Sequence, residues 1–153
     1  MYWRELTVNW GESDPFGLVY YPRMLSWFND TEHELFRAIG YPIDAMIQHD
    51  RTTFVMGEVH FRFIGPAAYG DTVLSIIKLS KIGGSTLHWK TRCINAKTGD
   101  LICEGLGTRV YAKIKDDGSL DSAKIPKPMR EALENFDAFT HLKPVSFKEA
   151  FEI

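Results

Sequence analysis

One carboxylate in this chain lies just before a predicted helix, in a segment that combines a turn, two tyrosines and a proline. The segment reads Asp14-Pro15-Phe16-Gly17-Leu18-Val19-Tyr20-Tyr21-Pro22. Asp14, Pro15 and Gly17 fit the first, second and fourth positions of a type I turn, because Pro presets its own φ and Asp accepts backbone hydrogen bonds. Pro22 suits a first helical turn, so the amides near Tyr21 should point out of a positively polarised helix N-terminus. A group that can attack carbon or deprotonate water would therefore lie beside donors that can hold a developing negative charge.

One long helix and several strands must position this segment. Residues 2–10 alternate loosely between apolar and polar side chains and predict a first strand. After Pro22 the apolar residues recur at three- and four-residue spacings until Gly40 and Pro42, which predicts a helix of about 17 residues. The apolar arc of this helix is wide, so we expect a sheet to wrap around it.

Between residues 52 and 115 the sequence is rich in β-forming residues and is divided by Gly, Pro, Asn and Asp. Four antiparallel strands are predicted near 53–64, 71–82, 85–96 and 100–114, and a short helix over 126–136. In the first of these strands, alternation predicts one face of Val55, Gly57, Val59, Phe61 and Phe63, and an opposite face of Met56, Glu58, His60 and Arg62. The order of elements predicts an α+β fold, with an antiparallel β-sheet rolled around a long central α-helix.

The composition argues against several classes of protein. The 153 residues are enough for one domain, and 44% hydrophobic with 25% charged residues is typical of a globular chain. The formal charge of −2 provides no basic field for nucleic acid. We expect neither a signal peptide nor a membrane span, because no apolar run approaches about 18 residues. Cys93 and Cys103 are predicted to be small buried hydrophobes and not a disulfide or metal pair, which fits a reducing cytoplasm.

The segment around Asp14 resembles the motif of the 4-hydroxybenzoyl-CoA thioesterase family of hotdog-fold proteins. That motif, Asp-Pro-x-Gly-[Ile/Leu/Val]-Val-[Tyr/Trp]-Tyr-Pro, leads into a long central helix, and the resemblance covers about residues 2–115. It implies a single hotdog domain over 1–153, with a core over about 2–115 and a C-terminal helix and tail over about 125–153. Hotdog relatives pair edge to edge into one continuous sheet, so the resemblance also implies a homodimer or homotetramer.

The same resemblance implies acyl-CoA thioester hydrolysis, with no cofactor and no metal. Asp14 matches the family's catalytic carboxylate, as nucleophile or general base, and Tyr21 matches the residue whose backbone N–H polarises the thioester carbonyl. Each residue also has a purely structural interpretation. Asp14 could be an acid that only caps a turn, and Tyr21 could be a packed ring with an ordinary amide.

Further residues are candidates for binding the substrate. Phe16, Gly17 and Trp27 lie in or near the motif, and the aromatic rings would favour a flat or apolar acyl group. Asn29 falls where the hydroxybenzoyl-specific branch of the family places an acid, so a hydroxybenzoyl substrate is not assured. The family's hairpin for the coenzyme A phosphates corresponds here to Lys81, Gly83, Gly84 and Ser85. This hairpin carries one lysine, so a plain turn remains open as an interpretation.

Other polar groups favour structural roles. Glu32, His33 and Glu34 are adjacent in the predicted helix and point in different directions, so we interpret them as a solvated face. Glu58 and His60 share the strand face opposite the helix and are interpreted as surface or subunit-contact groups.

Two alternative functions remain open at this stage. A non-catalytic acyl-CoA-binding hotdog protein would keep the fold and lose turnover. A hotdog hydratase is disfavoured, because no His follows Asp14-Pro15 as the Asp-x-Asn-Pro-x-His pattern of that branch requires.

Overall fold

The computed structural model describes residues 1–136 of the chain. The elements in chain order are β1 (Tyr2–Thr7), a 3-10 turn (Trp10–Glu12), α1 (Tyr21–Ala38), α2 (Ile43–Ala45) with a following π-helical turn (Met46–Asp50), β2 (Thr52–Phe63), β3 (Thr72–Ile82), β4 (Thr86–Asn95), β5 (Leu101–Ile114), β6 (Leu120–Ser122) and α3 (Lys127–Glu134). The predicted first strand, long helix, four long strands and C-terminal helix are confirmed to within a few residues. Three short elements were not predicted: α2, the π-helical turn that follows it, and strand β6. The predicted tail beyond residue 136 lies outside the described residues.

The strands form one antiparallel sheet in the order β1-β3-β4-β5-β2, and β6 pairs with the end of β5. Helix α1 packs on one face, which we call the inner face. The predicted α+β architecture, an antiparallel sheet around a long helix, is therefore confirmed. Strand β2 has 12 residues and lies at one end of this order, so the sheet ends in a long edge strand.

Two buried clusters join α1 to the inner face of the sheet. Phe28 of α1 is 1% exposed and packs where β5 carries glycine. A Cβ placed on Gly107 would lie 3.2 Å from the Phe28 ring, and one on Gly105 would lie 2.8 Å from the ring of Phe61. Because these two glycines have no side chain, the rings of Phe28 and Phe61 can occupy the space beside them.

The predicted faces of β2 are confirmed from Glu58 to Phe63 but are reversed at Val55 and Met56, because the strand contains a β-bulge between the two parts. The register with β5 shifts between Met56 and Glu58, which leaves Gly57 as the extra residue. A bulge reverses the alternation beyond it. Met56 therefore shares the inner face with Phe61 instead of lying opposite it, while Val55 lies on the outer face.

The two cysteines are buried and free, as predicted, but they are not isolated from each other. Cys93 of β4 and Cys103 of β5 are direct cross-strand neighbours. The contact with Cys103, together with burial, raises the pKa of the Cys93 thiol well above its ordinary value. The Cys93 thiol therefore stays protonated, and both cysteines pack as small buried groups.

A buried ion pair connects α1 to the sheet, and the predicted solvated role of Glu32 is wrong. Glu32 is 1% exposed, and its Oε2 accepts hydrogen bonds from Arg109 Nη2 at 2.7 Å and Nε at 2.9 Å. Burial raises the pKa of the Glu32 carboxyl, and Arg109 opposes that rise. His33 is partly exposed and Glu34 is exposed, so among these three residues only the prediction for Glu32 is wrong.

We predict strong coupling between Glu32 and Arg109. Glu32→Leu should lower the free energy of unfolding by about 3–5 kcal/mol, because the Arg109 charge is left buried without a partner. The double variant Glu32→Leu/Arg109→Met should recover most of that loss, since it removes both desolvated charges. Urea unfolding of the four proteins in the cycle measures the coupling. Glu34→Leu on the exposed face is the matched control, and strictly additive losses in the cycle would contradict the assignment.

Candidate active site

The loop before α1 holds Asp14 through one of its two carboxylate oxygens. Gly17 N–H donates to the Asp14 carbonyl at 2.9 Å, and Gly17 has a φ of +78°, a conformation that favours glycine. Asp14 Oδ1 accepts from the backbone N–H of Phe16 at 2.8 Å and of Leu18 at 3.2 Å. The predicted turn is therefore present. Within residues 1–136, Oδ2 of Asp14 has no hydrogen-bond partner.

Neighbouring segments fix this loop in place. Val19 N–H donates to the Ala67 carbonyl at 2.8 Å, and Tyr20 N–H donates to the Glu12 carbonyl at 2.9 Å. The Glu12 side chain in turn accepts from the indole N–H of Trp27 at 3.0 Å. Trp27 is 2% exposed, so in a single chain the ring supports the loop from within the core. That Trp27 lines the substrate site stays a prediction; in this placement the ring lies on the buried apolar arc of α1.

Helix α1 begins at Tyr21, with Tyr20 as its N-cap and Pro22 in the first turn. The N–H of Tyr20 is occupied by Glu12, whereas the N–H of Tyr21 has no acceptor among the described residues. The Tyr21 ring packs on Phe63 of β2 with their centroids 5.5 Å apart. Tyr21 thus combines a packed ring with a free amide at the positive end of the helix dipole.

An exposed apolar surface surrounds this loop. Nine of the twelve large hydrophobic side chains that are exposed within residues 1–136 belong to segments 10–21 and 59–69. We call these nine the apolar rim: Trp10, Phe16, Leu18, Tyr20, Tyr21, Val59, Phe63, Ile64 and Tyr69. Phe16, a predicted substrate contact, is 87% exposed, so the rest of residues 1–136 leaves it uncovered. Residues 1–136 leave this rim exposed, and exposed apolar surfaces of this kind are typical of interaction sites.

The glycine hairpin lies at the far end of the sheet from Asp14. The Asp14 loop contacts the segment just before β3, whereas Lys81 is close to the end of that 11-residue strand. A strand of this length spans roughly 30 Å, so one chain does not bring Lys81 and Asp14 together. The same separation applies to the other predicted hairpin contacts, Gly83, Gly84 and Ser85.

The C-terminal segment anchors the hairpin from behind. Arg130 of α3 donates to the Gly83 carbonyl at 2.6 Å, and Ile125 N–H donates to the Gly84 carbonyl at 2.9 Å. Lys81 is exposed and makes no ion pair within the part of the chain that the structure describes. Arg130 is a second cation at this hairpin, and it could not be predicted from the sequence because 47 positions separate it from Gly83.

Asn29 lies on α1 with its side chain exposed to solvent. Its Oδ1 accepts a hydrogen bond from Arg109 Nη2 at 2.9 Å, so the buried ion pair extends to the surface here. Asn29 is on the side of the helix that faces β5 and β2, the same side from which Tyr21 contacts Phe63. Asn29 is therefore directed toward the edge-strand side of the molecule.

Glu58 and His60 lie on the outer face of the sheet, as interpreted from the sequence. They border a depression of about 630 Å³ together with His88 and Lys81. Neither residue approaches Asp14. Within residues 1–136, no three His, Cys, Asp or Glu side chains come together that could hold a metal ion, and no helix has the length and apolarity to span a membrane.

The chain belongs to the thioesterase-like superfamily, whose family model matches residues 8–133. Among solved structures it is similar to a 1,4-dihydroxy-2-naphthoyl-CoA thioesterase from Synechocystis, with a TM-score of 0.80 and 16% identity over 89% of this chain and 97% of that chain. It is also similar to a gentisyl-coenzyme A thioesterase, with a TM-score of 0.74 and 23% identity over 84% and 98% of the two chains. It is similar as well to the 4-hydroxybenzoyl-CoA thioesterase from Pseudomonas sp. strain CBS-3, with a TM-score of 0.77 and 17% identity over 85% of this chain and 96% of that chain. The predicted relation to hotdog-fold thioesterases is confirmed.

Proposed function

We propose that this protein hydrolyses acyl-CoA thioesters, with Asp14 as the reacting carboxylate and the Tyr21 N–H as a donor to the thioester carbonyl oxygen. The observation that carries the proposal is the pairing of two unoccupied groups, Asp14 Oδ2 and the Tyr21 N–H, at the N-terminus of α1. Membership of the thioesterase-like superfamily supports the same reaction. The similar solved structures named above are thioesterases of aromatic acyl-CoAs, which supports coenzyme A as the carrier.

Asp14 can act by two routes from this position. As a nucleophile, Oδ2 forms a bond to the carbonyl carbon, the C–S bond breaks, coenzyme A leaves as the thiolate, and water then hydrolyses the mixed anhydride. As a general base, Oδ2 takes a proton from a water molecule that attacks the same carbon, and the C–S bond breaks in the same way. In both routes the Tyr21 N–H and the helix dipole stabilise the oxyanion.

A second copy of the chain would complete this site. Among residues 1–136, no strand pairs with the outer edge of the 12-residue strand β2, and unpaired edges of this length are normally covered. Val59 and Phe63, on the inner side of this edge, are 43% and 47% exposed and belong to the apolar rim. We therefore propose a two-fold dimer in which the β2 strands of two copies pair and bury the rim.

Antiparallel pairing of the two edges also resolves the distance between Asp14 and the hairpin. The Phe63 end of β2 lies at the Asp14 end of the sheet, and the Thr52 end lies at the hairpin end. A two-fold axis reverses one β2 relative to the other, so the hairpin of the second copy is brought to the Asp14 end of the first. Each active site would then combine Asp14 and Tyr21 of one copy with Lys81 of the other.

A non-catalytic acyl-CoA-binding protein of the same fold is the second candidate. The observation that favours it is that Asp14 Oδ1 already caps the turn, which gives the residue a structural task without any chemistry. Thiol release from a panel of short, long and aromatic acyl-CoAs separates the two candidates. Saturable binding without release of coenzyme A would select the binding protein.

We predict that Asp14→Asn lowers kcat by roughly two to four orders of magnitude and leaves the fold intact. Asparagine keeps an oxygen to accept from Phe16 and Leu18, but it replaces the free Oδ2 with an amide nitrogen. Thiol-release kinetics and a melting curve on the same sample check this. The matched control is Asp117→Asn. Asp117 also caps a turn with one oxygen, because its Oδ1 accepts a hydrogen bond from the Ser119 N–H at 2.9 Å. A variant at Asp14 with normal kcat would exclude the catalytic role.

Val59→Lys is expected to convert the proposed dimer into an inactive monomer. The ammonium group would be placed in the apolar edge that the second copy covers, where an unpaired charge is costly. Sedimentation velocity and thiol release measure the two effects. Leu120→Lys is the control, since Leu120 is exposed to a similar extent, 46% against 43%, and lies on β6. If Val59→Lys remains a fully active dimer, pairing through β2 is wrong.

Lys81→Ala should raise KM for acyl-CoA by up to about fivefold with kcat almost unchanged, because a phosphate contact acts equally in the ground and transition states. Added salt should reduce the difference, since Lys81 is exposed. A truncated thioester without the nucleotide should be unaffected. Equal losses on both substrates would mean that Lys81 only supports the hairpin.

A further inference from the structure

Two thiols face each other across neighbouring strands in the core. Cys93 of β4 and Cys103 of β5 are direct cross-strand partners, both are 0% exposed, and neither forms a disulfide. The two side chains lie on the same face of the sheet and contact each other. Directly opposed residues of antiparallel strands have Cα atoms about 4.5–5.5 Å apart, and a disulfide accepts about 4.4–6.8 Å. The pair can therefore close a disulfide with little movement of the strands.

Hydrogen bonds connect this thiol pair to the loop that carries Asp14. Ile102 is the extra residue of a bulge beside the pair. Its carbonyl accepts the N–H of Ile64 at 2.9 Å and the N–H of Gly65 at 3.0 Å. Two positions further along, the Ala67 carbonyl accepts the N–H of Val19 in the loop at 2.8 Å. The backbone beside the thiols therefore holds the segment that in turn holds the loop.

The thiols and the loop also share one buried cluster. Val19 of the loop and Trp27 of α1 pack in the same cluster as Cys93 and Cys103. A disulfide brings its two sulfur atoms to about 2.05 Å, well inside the van der Waals contact of unbonded atoms. Because a close-packed core has no spare volume, the neighbours must follow the sulfurs or lose contact with them. Oxidation would therefore change the support beneath the loop.

The position of the pair near two strand ends explains how an oxidant reaches it. Cys93 is two positions before the end of β4, and Cys103 is two positions after the start of β5. The turn between these strands is exposed over residues 97–100, so local opening at this end would uncover both thiols together. In the closed protein, contact with Cys103 and burial raise the pKa of the Cys93 thiol and keep it unreactive. Oxidation should therefore follow opening and be slow under native conditions.

We propose that Cys93 and Cys103 are a redox-sensitive modification site, which a hydroperoxide converts into an intrachain disulfide that slows turnover at the Asp14 loop. In the first step a thiolate forms an S–O bond with hydrogen peroxide, the O–O bond breaks, hydroxide leaves, and a sulfenic acid remains. The second thiol then forms the S–S bond, the S–O bond breaks, and water leaves. The two sulfurs lose two electrons in total, which reduce the peroxide to water. The effect on turnover rests on the proposed function.

The test treats the whole protein with hydrogen peroxide in urea below its unfolding transition, which promotes local opening. Mass spectrometry after removal of the urea should show one intrachain Cys93–Cys103 disulfide and the loss of two hydrogen atoms. Thiol release should show kcat lower by at least about threefold, because a small displacement of a reacting group is costly. Dithiothreitol should restore kcat. Methionine oxidation adds mass, and dithiothreitol does not reverse it, so the two modifications are distinguishable.

Two variants without the pair are the controls, Cys93→Ala/Cys103→Ala and the nearly isosteric Cys93→Ser/Cys103→Ser. Their ratio of kcat with and without peroxide should show no loss that dithiothreitol restores. Because the ratio compares two portions of one preparation, a smaller folded fraction does not alter it. The ratio for reduced and oxidised wild type stands by itself if neither variant folds.

Three results would overturn the proposal. The thiols could stay free after treatment, the disulfide could link two chains, or the intrachain disulfide could form and leave kcat unchanged. A reversible loss of kcat in the variants would also contradict it. If neither the reduced nor the oxidised protein hydrolyses any acyl-CoA, the proposed hydrolysis fails, and the mass spectrum alone then decides whether the pair is a modification site.

Discussion

The packing of α1 against a single face of the sheet is the constraint on which the rest of this structure depends. The apolar arc of α1 is wider than the contact that one sheet face provides. Trp27 and Phe28 are fully covered, whereas Tyr21, at the start of the helix, is 57% exposed. The uncovered part of the arc adjoins the free edge of β2, where Val59 and Phe63 are also exposed. Residues 1–136 of one chain therefore leave apolar surface beside the start of α1, and the candidate catalytic groups lie there.

Polar contacts within the core fix how the helix sits on the sheet. On the β1–β3 side, Thr31 Oγ1 donates to the Trp27 carbonyl at 2.7 Å and lies 2.7 Å from Ser75 Oγ. On the β5 side, Glu32 binds Arg109. Apolar packing alone would tolerate a small slide or rotation of the helix, but these directional contacts would be broken by it. The position of the Tyr21 amide and the orientation of Asn29 both follow from this fixed placement.

Local features of this molecule could be predicted from the sequence, and features that depend on distant partners could not. The turn at Asp14 and the start of α1 depend on residues a few positions apart, so Pro15, Gly17 and Pro22 were sufficient signals. The bulge at Gly57 is invisible to a period-two pattern, because the alternation of β2 looks unbroken until pairing with β5 is known. The burial of Glu32 depends on Arg109, which is 77 positions away.

The two interpretations of Asp14 do not exclude each other, because a carboxylate has two oxygens. Oδ1 holds the loop by accepting from Phe16 and Leu18, and this fixes the plane of the carboxylate. Oδ2 then has a defined direction without being used for the fold. A reacting group held in one orientation loses little freedom when substrate binds, which is the main advantage that positioning gives to catalysis. The capping role is therefore a reason to expect chemistry at Oδ2, since the same hydrogen bonds that stabilise the turn would also aim the free oxygen.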